Sequence, residues 1–268
     1  MTPAALLTHY DSATLWPAPC GLDLPTAYAR GLEVRALRVA RGEQPCGYKI
    51  GFTNRSIWPR YQVFAPIWGT VYSSTLQLCE GEGDIALAGP PAACQPRIEP
   101  ECVLSLRAAP PHRADGSLTL DDIFDCLDWV APGFEIVHTH LPDWKFAAAD
   151  TVADGGLHAR LLVGQRVGAR SLASSAEDLE RLLAAAQVKL LNGDAVVDHG
   201  CGANVLDGPL HALLNFVQTL RACPGAPDVQ PGDVITTGTW TDAWPVTTGQ
   251  RWTAQFDAPL APLSVRFV

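Results

Sequence analysis

The sequence predicts an α+β fold built on a large mixed or antiparallel sheet. Two observations carry this. From Tyr48 to Gly168 short apolar runs (GYKIGFT, PIWGTVY, ECVLSLR, GFEIVHTH) alternate with Gly and Pro at irregular spacing, which is strand chemistry. The elements then read in the order helix, mixed strands, helix, hairpin, helix, strands. That order lacks the regular strand–helix alternation of a Rossmann fold or a TIM barrel.

Each element has a local reason. Residues 25–42 read as a helix, with Pro25 in its first turn and Gly42 at its exit. LTLDDIFDCLDWV, residues 118–130, reads as an acidic helix that Thr119 caps, with Asp121 and Asp122 near the positive end of its dipole. Residues 175–187 read as a surface helix capped by Ser175, with Asp178 at the capping-box position. VKLLNGDAVVDHG reads as a hairpin with Asn192-Gly193 at the turn, and residues 209–222 as a helix with Pro209 at its first position. Pro231-Gly232-Asp233 is a turn that feeds the strand VITTG. Neither a linker nor a repeat divides the chain, so residues 1–44 are read as a helical segment packed on one main unit, residues 45–268.

Hydrophobic residues make up 47% of the 268 positions and charged residues 18%, enough to bury a sizeable core and to exclude global disorder. Acidic residues outnumber basic ones 28 to 19, a net charge of −9, which argues against nucleic-acid or anionic-membrane partners. An anionic ligand would then need a local cation, a metal ion or a placed Lys or Arg. The N-terminal MTPAALLTHYDSATLW lacks the basic start of a secretion signal, and no stretch of about 18 apolar residues could span a membrane. The 8 cysteines are scattered with no CxxC pair, so a reduced, cytoplasmic protein is expected.

The segment RIEPECVLSL, residues 97–106, is the most unusual. On a strand, Glu99 and Glu101 point the same way, and two adjacent carboxylates repel unless a cation or proton lies between them. Oxygen ligands suit a hard ion such as Mg²⁺ or Mn²⁺; two solvated glutamates are the plainer alternative. Pro100 withholds an amide, which places the strand at an edge or a bulge. Glu135 lies in the apolar run WVAPGFEIVH and must be paired or ligated. Lys49, alone in an apolar strand, would have its pKa lowered by burial toward acid–base work, or would hold an anion, or would simply extend its head to water. His138 and His140 could bind zinc on one face, but in a regular strand they point away from Glu135. Asp154-Gly155-Gly156 reads as a turn. Thr236-Thr237-Gly238-Thr239 ends a strand in a turn whose amides and hydroxyls suit a carboxylate.

Taken in order, GYKIGFT, PIWGTVY, RIEPECVLSL, APGFEIVHTHLPDWKF with ADTVADGG, and PGDVITTGTWT resemble the fumarylacetoacetate hydrolase superfamily, in particular its 2-keto-4-pentenoate hydratase and 4-oxalocrotonate decarboxylase group. The resemblance runs from about residue 45 to 250, and the ExE pair followed by the glutamate of FEI is its most specific part. It implies a mixed β-roll with peripheral helices and a homo-oligomer, in complex with a paralogous or pathway enzyme in some cases. It also implies that Glu99, Glu101 and Glu135 hold one Mg²⁺ or Mn²⁺, with Lys49 near the carboxylate and enol oxygen of a small keto-acid substrate.

The implied activity is that of a metal-dependent lyase, most readily a hydratase of a 2-hydroxypenta-2,4-dienoate-like acid. Decarboxylation or C–C hydrolysis of a related keto acid uses the same metal, and a non-catalytic assembly subunit of the same fold is the further alternative. The chain departs from the group at three places expected to line the pocket. Ser73 and Ser74 follow Gly69 where the hydratases carry an acid, so one of them is expected to stand in place of the general acid/base. Asn54 and Asp154 occupy positions expected to touch substrate, together with Gly238 and Thr239.

Overall fold

The computed structural model describes residues 1–87 and 92–268. Two helices lead, α1 (Pro3–Ser12) and α2 (Leu24–Ala40). Thr2 caps the first by accepting from the Ala5 amide, and Asp23 caps the second by accepting from that of Thr26. Then come β1 (Pro45–Gly51), α3 (Trp58–Tyr61), β2 (Ile67–Tyr72), β3 (Leu76–Leu78), β4 (Glu82–Ile85) and β5 (Arg97–Leu106). They are followed by α4 (Leu120–Cys126), β6 (Leu127–Val137), α5 (Ala148–Ala153), β7 (His158–Val163), β8 (Val167–Gly168), α6 (Ala169–Leu172) and α7 (Ala176–Ala185). The chain closes with β9 (Gln187–Asn192), β10 (Ala195–Cys201), α8 (Pro209–Ala222), β11 (Val234–Thr239), β12 (Trp244–Pro245), β13 (Arg251–Phe256) and β14 (Leu263–Phe267).

The larger sheet has the order β2-β1-β11-β5-β6-β7-β3, with β12 added to β5 and β8 to β6. It is mixed: β1 runs parallel to β11 and β3 to β7, while β5 is antiparallel to both β11 and β6. A second sheet has the order β10-β9-β13-β14-β4. The expected α+β class with a mixed sheet is what forms. Helix α8 shows how the layers join: Leu213, Phe216, Val217 and Leu220 recur at helical spacing, are buried, and belong to one core with Tyr48, Leu104 and Ile235 of the sheet. No helix among the described residues is long and apolar enough to cross a membrane.

Tertiary pairing corrects three local expectations and decides between the alternatives of a fourth. The capping box of Thr119 and Asp122 forms, but α4 ends at Cys126, because Leu127 and Val130 pair with Leu106 and Leu104 of β5. Sheet pairing of β-favouring residues outweighs a weak helical preference there. The hairpin turn lies one residue later than read: Asn192 pairs with Ala195, so Gly193 and Asp194 are central, and Gly193 has φ +58°. Of the edge or bulge expected at Pro100, the edge is excluded, since β5 lies inside the sheet between β11 and β6; the β11 ladder shifts register opposite Val103 and Glu101, next to Pro100, whose carbonyl accepts from the Trp240 amide. Helix α7, read as a surface helix, buries Glu180, whose carboxylate accepts from the Leu210 amide at 2.9 Å and the His211 amide at 3.0 Å.

Glu180 thus caps the N-terminus of α8 from a neighbouring helix, with its charge at the positive end of the dipole. Glu180→Gln keeps the volume but loses the charge and one acceptor. It should lower unfolding stability by about 1–2 kcal/mol, read as a lower denaturant midpoint with an unchanged slope.

Candidate metal centre

The centre is assembled by strand register. Glu99 of β5 stands directly opposite Glu135 of β6, and Glu101, two residues on, shares their face. One carboxylate oxygen from each of the three lies within 4.8 Å of the others. The neighbouring β11 supplies support: the Thr236 hydroxyl and the Gly238 amide, the latter at 2.7 Å, both donate to Oε2 of Glu101. The hydroxyl-rich turn therefore does hold a carboxylate, and it is the protein's own. Gly238 is required there, because its φ of +103° and the Thr53 hydroxyl beside it leave no room for a Cβ. From β1, Lys49 Nζ reaches Oε2 of Glu135 at 2.7 Å. Gly69 of β2 packs against Gly155 and Gly156 so closely that any side chain would collide, which brings the backbone after α5 onto the Lys49 stem.

Three carboxylates and one ammonium leave a net formal charge of −2 in a buried space, which is unstable without protons or a cation. Burial pushes Glu99 up to about 8, helped by Glu135 and opposed by Lys49. Burial, then Glu135 and Glu99, carry Glu101 well above the usual carboxylate range. Glu135 goes the other way: burial would raise it, but Lys49 and His158 hold it ionised. Lys49 was expected to be lowered by burial. Burial does act in that direction, but Glu135, Glu99 and Glu101 outweigh it and keep the ammonium above its ordinary value. Oε1 of Glu101 is buried with no hydrogen-bond partner. An orphaned oxygen, a carboxylate triad and an all-oxygen donor set fit a hard divalent ion.

The triad opens into a cavity lined by Lys49, Glu99, Gly238 and Thr239 and walled by Phe52, Tyr61, Trp144 and Phe146. Gly238 and Thr239, expected near substrate, line this cavity. Ser73 and Ser74 are not brought to the cavity: both are exposed, and Ser74 donates to Glu43 on the outside, because the β2–β3 turn points its first two side chains to solvent. Asn54 is buried outside this cavity, its Oδ1 accepting from the Ser56 amide as the cap of a short 3₁₀ turn. Asp154 is likewise elsewhere. Its two oxygens accept from the His140 amide (2.9 Å) and His140 Nδ1 (2.6 Å).

His138, His140 and Asp154 do cluster, on ground the sequence marked. Hydrogen bonds tie the cluster to itself and to the backbone beside it. Asp154 spends both oxygens on His140, and Nδ1 of His138 accepts from the Cys94 amide at 3.3 Å, so its Nε2 carries the hydrogen. Sequence reasoning gave no role to one residue that reaches the triad and another that backs it. His158 Nδ1 lies 2.8 Å from Oε1 of Glu135, and Thr75 Oγ1 lies 2.9 Å from His158 Nε2. It also missed the aromatic wall, whose Trp144 and Phe146 come from an irregular segment with no periodicity to read.

No family model matches this chain. Relatives among characterised proteins do. A 2-hydroxyhexa-2,4-dienoate hydratase of Comamonas testosteroni is 31% identical over 232 residues, 86% of this chain and 81% of that protein. A 2-keto-4-pentenoate hydratase of Dechloromonas aromatica is 29% identical over 237 residues, 88% and 82% of the two chains. In three dimensions, the 4-oxalocrotonate decarboxylase of Pseudomonas putida G7, complexed with magnesium and adipate, superposes with a TM-score of 0.84 at 22% identity, over 99% of this chain and 95% of that one.

Three outcomes follow from the triad. Glu101→Gln, which keeps the shape but removes a ligand charge, should abolish Mg²⁺ or Mn²⁺ binding in a calorimetric titration while the unfolding temperature of the metal-free protein is maintained or rises. Equal affinity in both proteins refutes the site. Because Glu99 and Glu101 hold protons in the metal-free state, an ion must displace them, so affinity should tighten as pH rises toward about 8. Titration in two buffers of different ionisation heat measures the protons released. Without metal the sign reverses. Glu99 binds its proton more tightly folded (about 8) than unfolded (4.5), so its contribution to stability is complete below pH 4.5 and is lost as pH climbs through about 8.

Proposed function

The chain belongs to the 2-keto-4-pentenoate hydratase and 4-oxalocrotonate decarboxylase group of the fumarylacetoacetate hydrolase superfamily, and from that premise we propose that it is a divalent-metal-dependent lyase that hydrates a small 2-hydroxydienoic acid. The observation that carries the reading is the buried carboxylate triad facing Lys49 at the closed end of an aromatic-walled cavity. Glu99, Glu101 and Glu135 would hold Mg²⁺ or Mn²⁺. When bound, the ion supplies a Lewis acid for the carboxylate and 2-oxygen of a 2-keto or 2-hydroxydienoic acid.

The chain's own groups do the rest. Lys49, kept charged by its carboxylate neighbours, brings a positive charge to a substrate whose anion the net charge of −9 would otherwise repel. Its long stem lets the ammonium turn from Glu135 to the substrate. Phe52, Tyr61, Trp144 and Phe146 take the far end of the molecule and keep bulk water from it. In the reaction one water adds across the far double bond while the 2-hydroxy group becomes a 2-keto group, so nothing else is consumed.

The wall also bears on the choice of reaction. A 4-oxalocrotonate-like acid carries a second carboxylate at its far end, and that end would meet aromatic rings here. Arg97 lies behind them, stacked 4.1 Å over Trp144 and donating to the Tyr61 hydroxyl at 2.8 Å, and it is the observation that favours decarboxylation as the second reading. A homo-oligomer fits either reading.

With Mg²⁺ present, the purified protein should consume 2-hydroxypenta-2,4-dienoate or its methyl homologue, followed as loss of the conjugated dienol's ultraviolet absorbance. Faster release of CO₂ from the dicarboxylic acid would overturn hydration in favour of decarboxylation. Lys49→Met, which keeps the stem volume, should lower turnover by roughly 10²-fold or more while metal affinity holds or rises. A change in turnover of less than about twofold, below roughly 0.5 kcal/mol, would remove Lys49 from the reaction.

A further inference from the structure

We propose that His158, backed by Thr75, is a positioning residue that holds the carboxylate of Glu135 in its ligand orientation, an inference that rests on reading Glu99, Glu101 and Glu135 as a divalent-ion site. Three observations carry it. The first is register. Glu135 pairs with Leu161, and in an uninterrupted antiparallel ladder His158 would oppose residue 138 and face away from the triad. The ladder instead slips between Ile136 and Val137, so that His158 opposes Val137 and its ring comes round to the Glu135 side. The bulge re-aims one side chain, and that side chain meets Glu135 Oε1 at 2.8 Å.

The second observation is that donor and acceptor roles are fixed in one direction. An ionised carboxylate only accepts, so His158 Nδ1 must donate to it, leaving Nε2 as a lone pair. Thr75 Oγ1, 2.9 Å away, supplies the hydrogen for that lone pair. The same oxygen accepts from the Tyr72 amide at 3.2 Å. The hydroxyl also lies 3.0 Å from the Tyr72 carbonyl, but that carbonyl already receives the Thr75 amide at 2.8 Å, so giving the hydroxyl hydrogen to His158 leaves no group unsatisfied. The third is burial: Thr75 and His158 are each 2% exposed and Glu135 is wholly buried. An imidazole is costly to bury, and at this position its polar atoms are spent on Glu135 and Thr75 alone.

The two partners of Glu135 then have different jobs. Lys49 is a flexible point charge that an anionic substrate can draw away from Oε2. His158 is a planar ring fixed at both nitrogens, and it keeps Oε1 in place when Lys49 turns. Thr75 also gives the region after Gly69 its connection to the centre. Ser73 and Ser74 point outward, and the next residue in the same turn reaches inward.

Mn²⁺ titration by calorimetry on the full chain, with thermal unfolding of each metal-free variant, tests the arm. His158→Phe keeps a ring and removes both polar contacts; it should bind Mn²⁺ roughly 10–100-fold more weakly. His158→Asn, whose amide nitrogen sits where Nδ1 does, should recover most of that loss. Wild-type affinity in His158→Phe overturns the proposal, as does a His158→Asn that folds normally yet binds no better than His158→Phe. If His158→Phe does not fold, Thr75→Val decides, since it leaves the ring in place and removes its support: weaker Mn²⁺ binding is expected and unchanged binding refutes the arm. Glu101→Gln separates the two levels. If it loses Mn²⁺ while His158→Phe keeps it, the site stands and the arm falls; if it keeps Mn²⁺, the triad reading falls and takes the arm with it.

Discussion

Like-charge repulsion inside the larger sheet is the constraint on which the rest of this structure depends. Three carboxylates within 4.8 Å of one another cannot all be ionised in a buried site without compensation. The surrounding elements are arranged to supply it in parts. Lys49 brings one positive charge to Glu135. Thr236 and Gly238 bring hydrogen bonds to Glu101. Glu99, on the cavity wall, retains a proton up to about pH 8. A divalent ion would complete this balance more fully than protons do, because the three carboxylates would hold it and its two positive charges would neutralise the remaining charge.

Irregularity in the sheet is the means by which those partners arrive. Register shifts occur on both sides of the β5–β6 pair, in β11 opposite Glu101 and Val103 and in the β6–β7 ladder beside Glu135. Regular ladders would place Gly238 and His158 differently; each shift turns a donor toward a carboxylate. The glycines act at closer range. Gly69, Gly155 and Gly156 let two backbone segments meet beside the Lys49 stem, and Gly238 lets its own amide face Glu101. Local propensity is sacrificed at these points for a geometry that only the assembled sheet enforces.

A second polar lock ties the N-terminal segment to this frame. Asp154 fixes His140, whose carbonyl accepts from the Trp16 amide at 2.7 Å while the Trp16 ring stacks on its imidazole. Asp150, from the same helix α5, accepts from the Cys20 amide at 2.7 Å and from that of Ala147. The chain between α1 and α2 is therefore pinned to the segment that follows β6, directly behind the backbone that presses on Lys49. Burial pushes His138 well below its usual value, so its ring enters the lock neutral.

Much of the centre was legible before folding because strand periodicity is a local property. A period of two put Glu99 and Glu101 on one face, a carboxylate in the apolar run around Glu135 had to be paired or ligated, and the lone cation in GYKIGF stood out, with a buried role and an extension to water both open. Ser73, Ser74, Asn54 and Asp154 show the limit of the same reasoning. Family position marked them for the pocket, but a turn that points outward, a helical cap and a histidine claimed them instead. His158, Thr75 and the Phe52–Tyr61–Trp144–Phe146 wall were given no role in the site, although Phe52, Trp144 and Phe146 lie in segments that carry the resemblance. The sequence by itself determined the chemical types and the strand faces, since both depend only on residues a few positions apart. The tertiary structure decided which faces meet, where the ladders slip and which donor reaches which carboxylate, because those depend on pairings between segments far apart in the chain whose register no local pattern encodes.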